Sequence, residues 1–178
     1  MDEKVLNGAL TPELLEGGSF LKKAVEICKK NRTYRNMFSL LRILRDSWVW
    51  IPCSAVLSEE DYKRMEETIK AADAGEGLGS LVGQNLTMHD EVRLVPDILI
   101  SGDLYFFPVF TSVDEMGEYG EHFSKIEKHF LEAVNLAKNN EKQVSGIVIN
   151  AFSDPFIIDK ELFDIIGKME SGMEKTES

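Results

Sequence analysis

Residues 145–159 read SGIVINAFSDPFIID. Gly146–Ile149 is a short apolar run rich in β-branched residues, the composition of a strand buried on both faces. Phe156–Ile158 is a second short apolar run. Between them stand Asn150, Ser153, Asp154 and Pro155, which build turns through side-chain bonds to the backbone or through a fixed φ. Two large aromatics, Phe152 and Phe156, share the same stretch. DKELFDIIGK follows with helical spacing, with Asp159 placed to cap it and Gly167 to end it. The segment therefore predicts strand, turn, strand and closing helix.

Working back, EVRLVPDILISGDLYFFPVFTS (91–112) holds apolar runs near 92–100 and 103–110. Ser101-Gly102-Asp103 joins them, a hairpin signal. Pro96 and Pro108 lack a ladder donor, so each belongs where no N–H is required. Thr111 or Ser112 then caps a short helix with Asp114 and Glu115 in its first turn. HFSKIEKHF (122–130) is ambiguous in pattern and is read as a strand over 124–130, and LEAVNLAKNN (131–140) reads as a helix ending at Asn139-Asn140. SWVWIPCSAVL (47–57) is aromatic and β-branched, hence a strand, and Pro52 places it at an edge or a bulge. SEEDYKRMEETIKAADA (58–74) reads as a helix whose Ser58 and Asp61 resemble a capping box.

Two amphipathic helices precede these. SFLKKAVEICKKN (19–31) puts Phe20, Leu21, Ala24, Val25 and Cys28 on one face, with Ser19 as N-cap. NRTYRNMFSLLRILRDS (31–47) repeats the pattern, with Thr33 as cap and Tyr34, Met37, Phe38, Leu41 and Leu44 as its stripe. Their tight connection predicts a helical hairpin. Residues 1–18, with three glycines and Pro12, read as a flexible N-terminus in which Thr11-Pro12-Glu13 can open a turn of helix. Residues 171–178 read as a disordered polar tail. The expected fold is α+β. It is a single domain over 19–170, with the helical hairpin at 19–46 and an α+β body at 47–170. Its mixed β-sheet has about five to six strands, with helices packed on the sheet.

Composition narrows the function. The chain has 178 residues, 43% hydrophobic and 29% charged, which suits one compact soluble domain. No apolar run approaches the roughly 18 residues of a membrane helix. MDEKVLNGAL carries no apolar h-region, so a signal peptide is not expected and the predicted location is cytoplasmic. Net charge is −11. Residues 19–46 hold eight Lys and Arg against two acids, +6, which leaves −17 for the rest. So acidic a body repels nucleic acid and anionic membrane. The basic segment 22–45 reads as the solvated face of amphipathic helices. It could also bind an acidic partner or dock on the protein's own acidic body.

YFFPVFTSVDEM (105–116) and GIVINAFSDPFIIDKELF (146–163) together resemble the SseB-type N-terminal domain, the enhanced serine sensitivity protein B family. Its members carry a PVFTS segment entering a helix. A VINP stretch, a turn and a short F-x-I/L strand before a last helix come later. The upstream order fits as well, and the resemblance covers roughly residues 20–170. Ala151 stands where the family has proline, which puts a rigid turn there in doubt. The chain ends soon after the domain, as a stand-alone version would. The resemblance implies an α+β fold and a soluble bacterial protein, and brings no established activity, cofactor or catalytic residue.

The chemistry-bearing residues do not assemble into a catalytic set. Four glycines fall within DAGEGLGSLVGQNLTMHD (73–90), but neither Gly-Lys-Ser/Thr nor G-x-G-x-x-G is present. Cys28 and Cys53 read as buried small hydrophobes, without a Cys-x-x-Cys. His122 and His129 would share a face on a helix and oppose each other on a strand, so the strand reading argues against a metal pair. Glu59, Glu60, Asp114 and Glu115 fall in helix first turns, where the dipole favours their charged form. No catalytic residue, metal or cofactor is expected. Asn150, Phe152, Asp154 and Phe156 form the candidate binding site. The expected function is a non-enzymatic interaction module that binds a protein partner or self-associates, with neither nucleic acid nor membrane as partner. The alternative is a small-molecule sensor or enzyme with a pocket near the Asn150–Pro155 turn.

Overall fold

The computed structural model describes residue 6 and residues 8–74 and 93–173, the side chains of 72–74 excepted. The glycine-rich stretch DAGEGLGSLVGQNLTMHD lies outside the described residues from Gly75 on. The chain divides into two compact units, one of residues 1–53 and 96–178 and one of 54–95. In the smaller unit, α4 (Glu59–Ala74) starts where Ser58 Oγ accepts from the Asp61 N–H at 3.1 Å. Glu60 pairs with Arg64, and Glu66 with Lys70, one turn on.

The larger unit holds the core. Thr11 caps α1 (Pro12–Leu15) by accepting from the Leu14 N–H at 3.4 Å. Then come α2 (Ser19–Lys30) and α3 (Tyr34–Asp46), the helical hairpin. Ser19 is the first residue of α2 rather than its cap. Gly18 takes the cap position at φ 72°, where its bare Cα lies against the Thr111 carbonyl. Thr33 caps α3 as its position implies, accepting from the Asn36 N–H at 3.1 Å. All five residues expected on the inner face of α2 are buried. On α3 the buried face is turned: Leu40, Leu41, Ile43 and Leu44 lie inside, while Tyr34 and Phe38 stack on each other in solvent.

The strands form a mixed arrangement of two sheets. β1 (Trp48–Val56), β2 (Arg93–Pro96) and β5 (Ser124–His129) lie in the order β2–β1–β5. β3 (Leu99–Ser101), β4 (Leu104–Val109), β6 (Gly146–Ile149) and β7 (Phe156–Asp159) lie in the order β3–β4–β6–β7. β4 and β6 run parallel; β3 and β7 are antiparallel to their neighbours. Reciprocal N–H to O bonds between Trp50 and Phe110, 2.8 and 2.9 Å, tie β1 to the end of β4. A parallel pair needs a crossover. Here it runs through 3₁₀ turns at Val113–His122, then β5, then α5 (Phe130–Lys138). α6 (Phe163–Lys168) closes the chain of elements, with contacts to α3 and α5.

Both interior prolines sit where the missing N–H is not wanted. β1 lies between two strands, so Pro52 is at neither an edge nor a bulge. The backbone of Trp50 points to Phe110, so that of Pro52, two residues on, points the same way and not to β5. Pro52 contributes only its carbonyl, which accepts from the Asp97 N–H at 2.9 Å. Pro108 likewise faces the β3 side, beyond the last β3 pair, Leu99 with Phe106. The hairpin turns at Gly102, φ 60°. The run expected over 92–100 is broken after Pro96, because β2 and β3 belong to different sheets.

β6 is buried along its whole length, which accounts for its unbroken apolar run. The described residues near both ends of the chain are fastened. Leu6, Leu10 and Leu15 enter the core, and the Leu10 N–H donates to Gly172 O at 2.9 Å. Asp46 accepts from the Gly172 N–H at 2.6 Å and from Ser171 Oγ at 3.0 Å. Residues 8–18 and 171–173 thus have defined places, while 174–178 lie outside the described residues. No helix among the described residues is long and apolar enough to cross a membrane.

Candidate functional site

The loop Asn150–Pro155 rises from the carboxyl end of β6, beside the carboxyl end of β4. Its first residue is an anchor. Asn150 takes a left-handed φ of 50°, a conformation that asparagine tolerates better than most residues. Its N–H donates to Val109 O at 2.9 Å, extending the parallel ladder by one bond. The residue is 2% exposed. Oδ1 accepts from the Thr111 N–H at 2.9 Å, and Nδ2 donates to Thr111 Oγ1 at 3.0 Å. An amide supplies acceptor and donor together without a buried charge.

The polar residues that follow are also engaged. The Ser153 N–H donates to Asn150 O at 3.2 Å, which closes the turn. Ser153 Oγ donates to Glu115, and Lys22 pairs with the same carboxylate. Lys22 first, then Ser153, hold the Glu115 carboxyl below its ordinary range. Asp154 pairs with Lys29, whose Nζ also reaches Pro155 O at 3.2 Å. The basic helix α2 is therefore docked on the acidic body at two points, through Lys22 and Lys29.

The aromatics divide. Phe156 is buried on β7, with the Arg32 guanidinium 5.8 Å from its ring centroid. Phe152 is 53% exposed. Its inner side stacks on Phe110, centroids 6.1 Å apart, and meets Tyr119 in a tilted contact at 4.4 Å. Phe110 is fully buried. Tyr119 donates its hydroxyl to Asp97, and burial, then that bond, push its pKa well above the ordinary range. So of the four expected residues, Asn150 and Phe156 are committed inward and Asp154 is paired, while Phe152 offers half a ring on a rigid backing. Beside the turn, Lys29, Arg32, Pro155, Phe156 and Asp159 border an open groove of about 530 Å³.

The remaining candidates are placed as follows. Cys28 and Cys53 are both fully buried. Burial, with Asp97 adding to it, pushes the Cys53 thiol up to about 11, and burial also raises Cys28. Neither is a ready nucleophile. His122 lies in the 3₁₀ segment, and His129 ends β5, where its Nδ1 accepts from the Leu131 N–H at 3.4 Å. No group of three or more potential ligands among the described residues is placed to hold a metal.

The sequence reading passed over Trp48 and Trp50. They stand on the outer face of β1, and Trp48 is 52% exposed. The signal was present in WVW: a valine between two tryptophans on a strand puts both indoles on one face.

No family model, curated protein or solved structure matches the chain.

Proposed function

We propose that this chain is a soluble cytoplasmic binding module without catalytic activity, which engages another protein or a second copy of itself through Phe152. The observation that carries it is a half-exposed ring on a loop already fastened at three places, through Asn150 to Thr111, Ser153 to Glu115 and Asp154 to Lys29. A fastened loop loses little entropy on binding. A large aromatic at its tip is the kind of anchor that dominates interface energy. The loop's polar side chains are spent on holding its shape, and the thiols are buried, which supports binding over catalysis.

The SseB-type reading, with its bacterial origin, belongs to the same proposal. Its support is the Asn150–Thr111 clamp, which gives a physical reason for PVFTS and VIN to occur in one chain.

The test uses wild type and Phe152→Ser side by side. Light scattering over a concentration series and affinity capture under identical conditions are the readouts. A dimer or a captured protein lost in the variant, with the fold intact by circular dichroism, supports the proposal. A wild type that stays monomeric and captures nothing, or a variant that behaves as wild type does, overturns it.

A further inference from the structure

The outer face of β1 carries a cavity of its own. Val49 and Ile51 are buried in the core, so Trp48 and Trp50 face the other way. The β1–β5 register sets Glu127 opposite Trp50. α1 and the turn after it form the far wall. The result is a space of about 530 Å³ bordered by Trp48, Trp50, Leu15, Glu13, Glu16 and Glu127. That volume is in the range of small-molecule sites, roughly 300–1,000 Å³.

Its chemistry is one-sided. No lysine or arginine lines it. Asp46 also borders it, but that carboxylate is taken by Arg45, Ser171 and Gly172. Glu13, Glu16 and Glu127 form no salt bridge among the described residues. Three carboxylates beside two indoles disfavour an anion. A neutral apolar ligand would desolvate the glutamates without giving them a partner. A bare metal ion lacks converging ligands, since no such group is present among the described residues. An organic cation meets both needs: the indole faces attract it through their quadrupoles, and the carboxylates neutralise it.

We propose that this cavity binds an alkylated ammonium group, held against Trp48 and Trp50 and neutralised by Glu16 and Glu127. It uses different residues from Phe152 and stands whether or not that loop binds a protein.

The chain has two tryptophans, both in the cavity, so tryptophan fluorescence, excited selectively over tyrosine, reports this site alone. The full chain is titrated with choline, with its neutral carbon isostere 3,3-dimethylbutan-1-ol, and with sodium chloride at matched ionic strength. The expected result is a saturable change with choline and binding of the isostere weaker by at least about fivefold. Glu16→Gln/Glu127→Gln, in which both tryptophans remain, should weaken choline by about fivefold or more. Trp48→Leu, with Trp50 still reporting, should do the same, which keeps the test open if the double variant does not fold. A response that never saturates, equal binding of the isostere, or folded variants that bind as wild type does would overturn the proposal.

Discussion

Asn150 holds Thr111 across the ends of two parallel strands, taking its N–H at 2.9 Å and donating to its hydroxyl at 3.0 Å. Both residues are buried, so losing the amide leaves the Thr111 N–H without water to replace it. Asn150→Ala also forces a β-carbon without a polar group into φ 50°. We expect about 2–4 kcal/mol of destabilisation in urea unfolding. Asn150→Gly loses the same bonds but accepts the backbone, so it should be less damaging by about 1 kcal/mol. Equal losses in the two variants would show that the left-handed conformation contributes nothing.

How far this was legible follows from distance along the chain. The PVFTS and VIN segments were visible as motifs, and the turn chemistry of Asn150 was visible too. Their bond was not, because it spans 39 positions and depends on the register of β4 with β6. The helical hairpin and the fully buried β6 follow from local pattern alone, whereas the pattern at 124–129 is ambiguous and pairing with β1 settles it as a strand. The buried face of α3 does not. Apolar residues occupy so much of its circumference that two stripes fit, and packing against α2, α5 and α6 selects the one with Leu40 and Ile43. The tryptophan cavity was hidden for the same reason as the clamp. Its walls come from residues near 13, 48 and 127, which no local pattern joins.

Phe152 and Phe156 look alike in sequence and differ in place. Phe156 is nearly fully buried, so Phe156→Ala should cost about 3–5 kcal/mol. Phe152 buries half its ring against Phe110 and Tyr119, so Phe152→Ala should cost only about 1–2 kcal/mol. Denaturation midpoints at equal m-value decide it. A loss at Phe152 as large as that at Phe156 would mean that the loop supports the fold rather than presenting a ring.

Gly17 and Gly18 both have positive φ, 70° and 72°, but only one is crowded. A β-carbon on Gly18 would lie 1.9 Å from the Thr111 carbonyl oxygen, while one on Gly17 meets nothing. Gly17→Ala should cost about 1 kcal/mol, for the backbone alone. Gly18→Ala must also push α2 away from the strand end, and should cost about 2 kcal/mol or more beyond that. Thermal melts of the two variants, recorded together, test the packing of α2 on Thr111 directly.

Acid should release the loop through Glu115. Lys22 and Ser153 hold its folded pKa below the ordinary 4.5. A depressed carboxyl pKa stabilises the fold above the unfolded value, and that stabilisation is lost as pH falls through the folded one. The Lys22 pKa is raised by the same pair, so its share persists until pH rises beyond the ordinary 10.5. The pair is therefore intact across neutral pH. Glu115→Gln should lower stability at pH 7, and the gap to wild type should narrow steadily as pH falls below about 4.5. Urea unfolding at a series of pH values measures this gap. A gap that stays constant down to pH 2 would mean that Glu115 holds Ser153 and Lys22 by shape rather than by charge.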